Sequence, residues 1–166
     1  MAQDIPVYLF TGFMDSGKTS LVEETLFENE FGDGAKGVII MCEDGEKEYD
    51  EAKLATINFK LTSIESEEEF TPQKLQEIQD TFQPEQVFIE YNGTWDLQEI
   101  LDEDFPRNWE IQGVYSTVSG ETLDMYLKNM RNMLMNQLTE SELIIINRCG
   151  AVSYTHLRAH ETLANL

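Results

Sequence analysis

The chain has 166 residues, 41% of them apolar, which is enough for one globular domain with a buried core. Its net charge is −21, from 11 basic and 32 acidic residues, and this argues against nucleic acids and anionic membranes as partners, because both require a basic surface. The two cysteines, Cys42 and Cys149, form no disulfide framework and fit a reducing compartment, so we expect a cytoplasmic protein. Neither a signal-peptide pattern nor a bilayer-spanning apolar run is present in the sequence.

The first predicted elements are a strand, a glycine loop and a helix. Residues 7–10 are an uncharged apolar run, which is typical of a buried strand in a parallel sheet. Residues 12–19, GFMDSGKT, fit the pattern G-x-x-x-x-G-K-[ST] at every fixed position, and residues 20–27 have helical apolar spacing. This order predicts a phosphate-binding loop. The alternative is a glycine turn with an incidental lysine.

The residues of this loop have predictable roles. Its two glycines permit backbone angles and close approaches that a side chain would block, so that N–H groups can surround phosphate oxygens at the start of the helix. The lysine reaches the outer phosphates, and the threonine hydroxyl ligates Mg²⁺. The carboxylate within the loop must point to solvent or to a cation. The predicted nucleotide contacts here are Gly12, Asp15, Ser16, Gly17, Lys18, Thr19 and Ser20.

An acidic stretch over residues 43–51 follows a second buried strand, predicted at residues 38–41. It lies at the carboxyl end of a strand, where open α/β sheets bind their ligands. It is either a solvated loop or a mobile switch region with a carboxylate near Mg²⁺, for which Glu43 or Asp44 is the candidate. Residues 52–70 stay undecided, with an edge strand at 58–63 as one interpretation.

A third buried strand, residues 86–90 (QVFIE), follows a helix over 71–82 that begins with Thr71 and Pro72. An apolar strand that brings a carboxylate to Mg²⁺ has the form of a Walker B segment. We therefore expect Glu90 to hold Mg²⁺ with Thr19 and to act with Lys18 in catalysis. The alternative is an exposed glutamate at a strand end. Gly93 would let the backbone approach the terminal phosphate.

The remaining elements are a short helix at 94–100, a strand at 109–118, a helical stretch at 120–136 and a strand at 143–146. The alternation predicts an α/β fold, a three-layer, doubly wound, mostly parallel sheet of the P-loop NTPase type. Right-handed crossovers then place the glycine loop, Glu90 and Asn147 on one carboxyl edge. Four methionines of the helical stretch are predicted to fill the core: Met125, Met130, Met133 and Met135.

With these segments placed, the chain resembles the CobW/HypB/UreG family of P-loop GTPases from about residue 5 to residue 149. The resemblance rests on IPVYLFTGFMDSGKTSL, on Glu90-x-x-Gly93 and on IIINRC. In that family E-x-x-G replaces the D-x-x-G of other GTPases, and N-[KR]-x-D reads guanine, so that Asn147 and Arg148 match its first two positions. The resemblance implies GTP binding and hydrolysis with Mg²⁺. More loosely, it implies delivery of a metal ion or a cobalamin precursor to a metalloprotein client, with a homodimer as another partner.

The chain departs from the family pattern at two places. Family members often carry Cys-x-Cys-Cys after the second strand, whereas Cys42 stands alone here. High-affinity thiolate sites need several ligands, so Cys42 is predicted to be a buried small residue. Gly150 stands where the guanine-reading Asp belongs, which leaves the choice between GTP and ATP open. Because SYTHLRAHET resembles a translated sequencing-adapter read-through, we expect an incomplete GTPase domain at 1–149 and a non-native tail at 150–166.

Two other functions stay open. A P-loop small-molecule kinase usually needs a lid with several arginines, and this chain has few. The second is a nucleotide-responsive regulatory module without significant hydrolysis, and no residue of the sequence excludes it. For a GTPase, the scattered Arg107, Arg131 and Arg148 predict no arginine finger, so we expect slow intrinsic turnover that a partner or dimerisation raises.

Overall fold

The computed structural model describes residues 3–28, 34–43 and 48–149. Its strands are β1 (Ile5–Thr11), β2 (Gly37–Met41), β3 (Phe59–Ser63), β4 (Gln86–Glu90), β5 (Trp109–Ser119) and β6 (Leu143–Asn147). They form one sheet in the order β3-β2-β4-β1-β5-β6, and every neighbouring pair is parallel. The predicted α/β fold is confirmed, and the sheet is parallel throughout.

The helices connect these strands. They are α1 (Lys18–Phe27), α2 (Glu51–Thr56), α3 (Pro72–Phe82), α4 (Leu97–Asp102), α5 (Leu123–Asn129) and α6 (Arg131–Thr139), with a 3₁₀ helix at Glu67–Glu69. Three begin at the side-chain caps expected for helix starts. Asp50 accepts from the Lys53 N–H at 3.1 Å, Thr71 from Lys74 and Asp96 from Gln98. None of the helices in the described ranges is long and apolar enough to cross a membrane.

Apolar layers cover both faces of the sheet. On one face, residues of α3 and α4 such as Leu75 and Leu97 pack with Val7 of β1. On the other, Val22 of α1 and Leu54 of α2 pack with the aromatic rings of β1, β3 and β4. A third cluster joins α5 and α6 to β5 and β6. Because β1 and β4 are covered on both faces, their sequences are continuous apolar runs rather than alternating ones.

The helical stretch predicted at 120–136 is present as two helices, and the prediction made for its methionines is wrong. The backbone leaves the helical region at Met130 (φ −136°, ψ 36°), so the stretch is two helices, each of which turns leucines into the same cluster. The methionines do not fill the core as a group, since Met125 is 50% exposed and Met130 and Met133 are each 36% exposed. Only Met135 packs partly against the third cluster. The break at Met130 reorients the two helices in a way that helical spacing cannot show.

The undecided region 52–70 contains most of α2, the edge strand β3 and the 3₁₀ helix. The edge strand considered for residues 58–63 is therefore present. The predictions made for Asp44, for Gly150 and for the tail at 150–166 lie outside the described residues.

Candidate functional site

The carboxyl ends of the strands meet at one edge of the sheet. In the strand register, Glu90 lies beside Phe10 of β1 on one side and beside Met41 of β2 on the other. At the other end of this edge, Asn147 of β6 lies beside Ser119 of β5. The glycine loop leaves β1 between these two positions, so the edge assembles residues that are far apart in sequence, as the alternation of elements predicted.

The loop has the backbone geometry that its two glycines were predicted to allow. Gly12 has φ +141° and Gly17 has φ +99°, and Asp15, which is exposed, has φ 60°. A Cβ at Gly12 would lie 2.5 Å from the Ser16 hydroxyl oxygen and from the Thr117 carbonyl oxygen, so only glycine fits there. Gly17 caps α1 without a side-chain hydrogen bond, and the first turn holds no acidic residue. The start of this helix is therefore suited to an anion.

Lys18 is buried at the centre of the loop. Its side chain is 4% exposed, and its ammonium group donates to the carbonyl oxygens of Gly12 at 2.6 Å and Phe13 at 3.1 Å. It also forms an ion pair with Glu43, whose Oε2 lies 2.5 Å from Nζ and whose side chain is 6% exposed. Glu43 was one of two candidates for a carboxylate near Mg²⁺, with a solvated loop as the alternative, and in the structure it pairs with the loop lysine.

Thr19 and Glu90 are brought together although 71 residues separate them. The Thr19 hydroxyl donates to Glu90 Oε1 at 2.7 Å. The second carboxylate oxygen, Oε2, accepts from the hydroxyl of Tyr49 at 2.5 Å. Burial, followed by the nearby charge of Glu90, raises the pKa of Tyr49 well above its ordinary value, so this phenol stays protonated and donates.

The Thr19 and Glu90 pair fits a hard cation. Both supply oxygen atoms, they lie beside the loop that would hold phosphates, and Glu90 is 4% exposed. Mg²⁺ at phosphate sites characteristically takes one or two protein oxygens, with phosphate oxygens and waters as its other ligands. Within the described ranges, no group of three or more His, Cys, Asp or Glu side chains could hold a metal ion by itself. The donor set therefore suits a cation shared with phosphates.

The backbone of Gly93 lies against the backbone of the glycine loop. A Cβ there would collide with the backbone carbonyl of Gly12. The carbonyl oxygen of Gly93 accepts from the side-chain amide of Gln137, which is 2% exposed and whose Oε1 accepts from Thr11 at 3.1 Å. This network holds the residues that follow β4 against the end of β1.

Asn147 reaches the loop from the far strand. Its side-chain amide donates to the carbonyl oxygen of Ser16, and a Cβ at Gly17 would collide with that amide. Its Oδ1 and the hydroxyl oxygen of Ser119 are buried without a hydrogen-bond partner among the described residues. The neighbouring Arg148 is exposed and has φ 52°. The structure thus brings Asn147 to the loop, and Arg148 faces solvent.

Cys42 is a core residue, as predicted. It is 1% exposed, and its N–H donates to the carbonyl oxygen of Glu90 at 2.9 Å. Burial, and then the charges of Glu90 and Glu43, raise the pKa of the thiol, so it stays protonated at neutral pH. A protonated, buried thiol is a poor metal ligand.

Sequence reasoning missed three polar residues of this edge. Tyr49 lies in the acidic stretch, where only the carboxylates were considered as candidates for the site. Gln137 lies just beyond the helical stretch predicted at 120–136, and Thr117, whose hydroxyl lies 2.6 Å from that of Ser16, is the third residue from the end of β5. A usable signal existed only for Thr117, as a polar residue near the carboxyl end of a buried strand.

Comparisons with known proteins agree with this architecture. A family model described as the CobW/HypB/UreG nucleotide-binding domain matches residues 6–165. No curated protein sequence matches the chain. The non-native tail expected at residues 150–166 remains a prediction from the sequence.

Three solved structures share the fold. The Zn(II)-bound YjiA GTPase from E. coli has a TM-score of 0.68 at 23% identity, and the match covers 98% of this chain and 55% of that one. The hydrogenase maturation factor HypB from Archaeoglobus fulgidus has a TM-score of 0.62 at 19% identity, with 97% and 76% covered. FlhF complexed with GMPPNP and Mg²⁺ has a TM-score of 0.51 at 16% identity, with 100% and 64% covered. The chain thus spans about half the length of YjiA.

Proposed function

We propose that this chain, which belongs to the CobW/HypB/UreG family of nucleotide-binding domains, binds and hydrolyses GTP with Mg²⁺. The observation that carries this proposal is the hydrogen bond between Thr19 and Glu90 beside the buried Lys18. Two oxygen ligands from distant segments meet next to a phosphate-binding loop, which is the arrangement that phosphoryl transfer needs.

Each residue of the site has one task in this proposal. The N–H groups at the start of α1 bind phosphate oxygens, and Lys18 donates to the outer phosphates as a point charge. Thr19 and Glu90 hold the cation and its waters through oxygen atoms. When bound, Mg²⁺ neutralises charge on the phosphates. Gly93 lies close enough to the loop for its backbone to face the terminal phosphate.

Guanine recognition falls to Asn147. Its amide nitrogen donates to the loop, while Oδ1 has no hydrogen-bond partner in the described part of the chain. A buried amide oxygen without a partner is costly, and a base N–H would satisfy it. This supports Asn147 as the residue that joins the base to the phosphate loop.

The exposure of three arginines indicates that GTP hydrolysis by the chain alone is slow. Arg107, Arg131 and Arg148 all face solvent, so none is buried at the site. Since no arginine of the described residues lies at the site, hydrolysis depends on positioning by the loop and on a partner that completes the site. The same observation favours a second candidate, a nucleotide-responsive module that does not hydrolyse GTP. Single-turnover hydrolysis with and without added partner protein separates the two.

Metal delivery is a looser part of the proposal. The family resemblance suggests a metalloprotein client reached in the cytoplasm, with GTP hydrolysis timing the transfer. Cys42 is left out of it, because its buried thiol is a poor ligand.

The test is a titration with fluorescent GTP and ATP analogues, with and without Mg²⁺. We expect GTP binding that tightens with Mg²⁺ and that weakens about 100-fold in Lys18→Ala, because several charge-assisted hydrogen bonds to phosphate are lost. Lys74→Ala is the matched control, since Lys74 pairs with Glu77 at 3.5 Å on the surface of α3. Equal binding by Lys18→Ala and the unmodified chain would refute the proposal.

A further inference from the structure

Tyr49 lies at the site, although it comes from the acidic stretch between β2 and α2. Its hydroxyl donates to Glu90 Oε2 at 2.5 Å, while that of Thr19 donates to Oε1 at 2.7 Å. Each oxygen of the carboxylate therefore has its own hydroxyl donor. Two donors on opposite oxygens fix the plane of the carboxylate, which a single hydrogen bond would leave free to rotate.

The ring and the hydroxyl of Tyr49 have separable roles. The ring packs in the core cluster with Val22, Leu54 and Phe59, and the residue is 7% exposed. This packing fixes the position of the hydroxyl, but a phenylalanine would fill the same space. The hydroxyl contributes through its bond to Glu90. As a neutral donor it orients the carboxylate without cancelling the charge that attracts a cation.

We propose that Tyr49 is a positioning residue, which holds Glu90 in the orientation that binds Mg²⁺ with the nucleotide. The inference rests on the proposed function and names the residue that sets its Mg²⁺ requirement. Hydrogen-bond partners of metal-binding groups typically change metal affinity by 10- to 100-fold when removed. Loss of the Tyr49 hydroxyl is therefore expected to raise the Mg²⁺ concentration for half-maximal GTP retention about tenfold.

The experiment uses the full chain, a fluorescent GTP analogue and a Mg²⁺ titration. Tyr49→Phe removes the hydroxyl and keeps the ring. Tyr91→Phe is the matched control, because Tyr91 is also a buried tyrosine, and its hydroxyl donates at 2.9 Å to the Asp96 carbonyl oxygen instead. Binding in EDTA is measured for each variant, because it reports the folded loop without the cation. Glu90→Gln and its combination with Tyr49→Phe complete a double-mutant cycle.

The expected result is a Mg²⁺ requirement raised in Tyr49→Phe and unchanged in Tyr91→Phe, with equal binding in EDTA for the unmodified chain and these two variants. Glu90→Gln raises the Mg²⁺ requirement by itself, and Tyr49→Phe adds no further effect once Glu90 is replaced. A Mg²⁺ requirement unchanged in Tyr49→Phe would overturn the inference and leave the proposed function standing. An additive effect in the Glu90→Gln background, or loss of binding in EDTA, would also overturn it, because Tyr49 would then act independently of Glu90 or only through the fold. Binding by the unmodified chain that ignores Mg²⁺ would instead refute the proposed function, and this inference with it.

Discussion

The carboxyl edge of the sheet has two ends that are built differently. At the proposed phosphate end, formed by the glycine loop, Glu43, Tyr49 and Glu90, the side chains of Lys18, Glu43 and Glu90 are buried, and each contacts a partner within the protein. At the proposed base end, formed by Ser119 and Asn147, two buried polar atoms have no partner within the described ranges.

The neighbourhood of each end explains the difference. Glu90 ends a central strand that is hydrogen-bonded on both sides and covered on both faces. Asn147 ends β6, an edge strand whose Leu143 is 51% exposed and borders an apolar cleft with Tyr115 and Leu21. A central strand fixes its terminal side chain through many contacts, whereas an edge strand leaves it dependent on a few. The phosphate end is therefore self-contained, and the base end is open to further contacts.

The largest effect is expected from a substitution at Gly93, which lies at the phosphate end. Gly93→Ala would place a Cβ against the Gly12 carbonyl, which is backbone and cannot rotate away. We expect loss of GTP binding and a fall of about 1–3 kcal/mol in the free energy of unfolding, the usual cost of overpacking. Fluorescent-nucleotide titration and urea unfolding measure the two effects.

Gly113→Ala is the control for this prediction. There the added Cβ would meet the hydroxyl end of the Tyr115 side chain, which can move, and Gly113 pairs with Tyr8 of β1, four residues before Gly12. We expect normal binding by this variant. Normal binding by Gly93→Ala as well would show that the close contact between the two backbones is not required.

A smaller effect is expected at Glu43. Because its carboxylate pairs with Lys18 at 2.5 Å, it competes with phosphate for the same ammonium. Glu43→Gln should tighten GTP binding about tenfold. Phosphate would then no longer have to displace the charged hydrogen bond between Glu43 and Lys18, and one such bond has about this free energy. Calorimetric titration measures this change. Glu77→Gln, which removes the exposed partner of Lys74, is the control. Weaker binding by Glu43→Gln would favour the alternative that this carboxylate serves the cation, as the sequence suggested.

The smallest effect is expected at the base end. Asn147→Ala removes the amide oxygen that we assign to the base, and the preference for GTP over ATP should fall about fivefold, the range of one neutral hydrogen bond. Affinity for the phosphates should change less, because Lys18 and the loop remain. Asn129→Ala, which removes an exposed amide bonded to the Met125 carbonyl, is the control. A preference for GTP that survives in Asn147→Ala would move base recognition to other residues.

Much of this fold was predictable because its signals are local. Buried parallel strands are continuous apolar runs, and the glycine loop has a fixed spacing, so β1, β4 and the loop were located closely. The break at Met130 was not predictable, since no glycine or proline marks it and the packing of α5 and α6 onto one cluster decides it. The exposure of Met125 and Met133 follows from the same packing.

The sequence by itself determined the glycine loop, the carboxylate of Glu90 and the order of strands and helices, because each depends on residues adjacent in the chain. Only the tertiary structure decided which groups meet: Glu43 with Lys18, Tyr49 with Glu90, and Gln137 with Gly93. The reason is physical. A contact between distant residues depends on the register of strands and the packing of helices, and no spacing in the sequence specifies either across the 24 or more residues that separate these pairs.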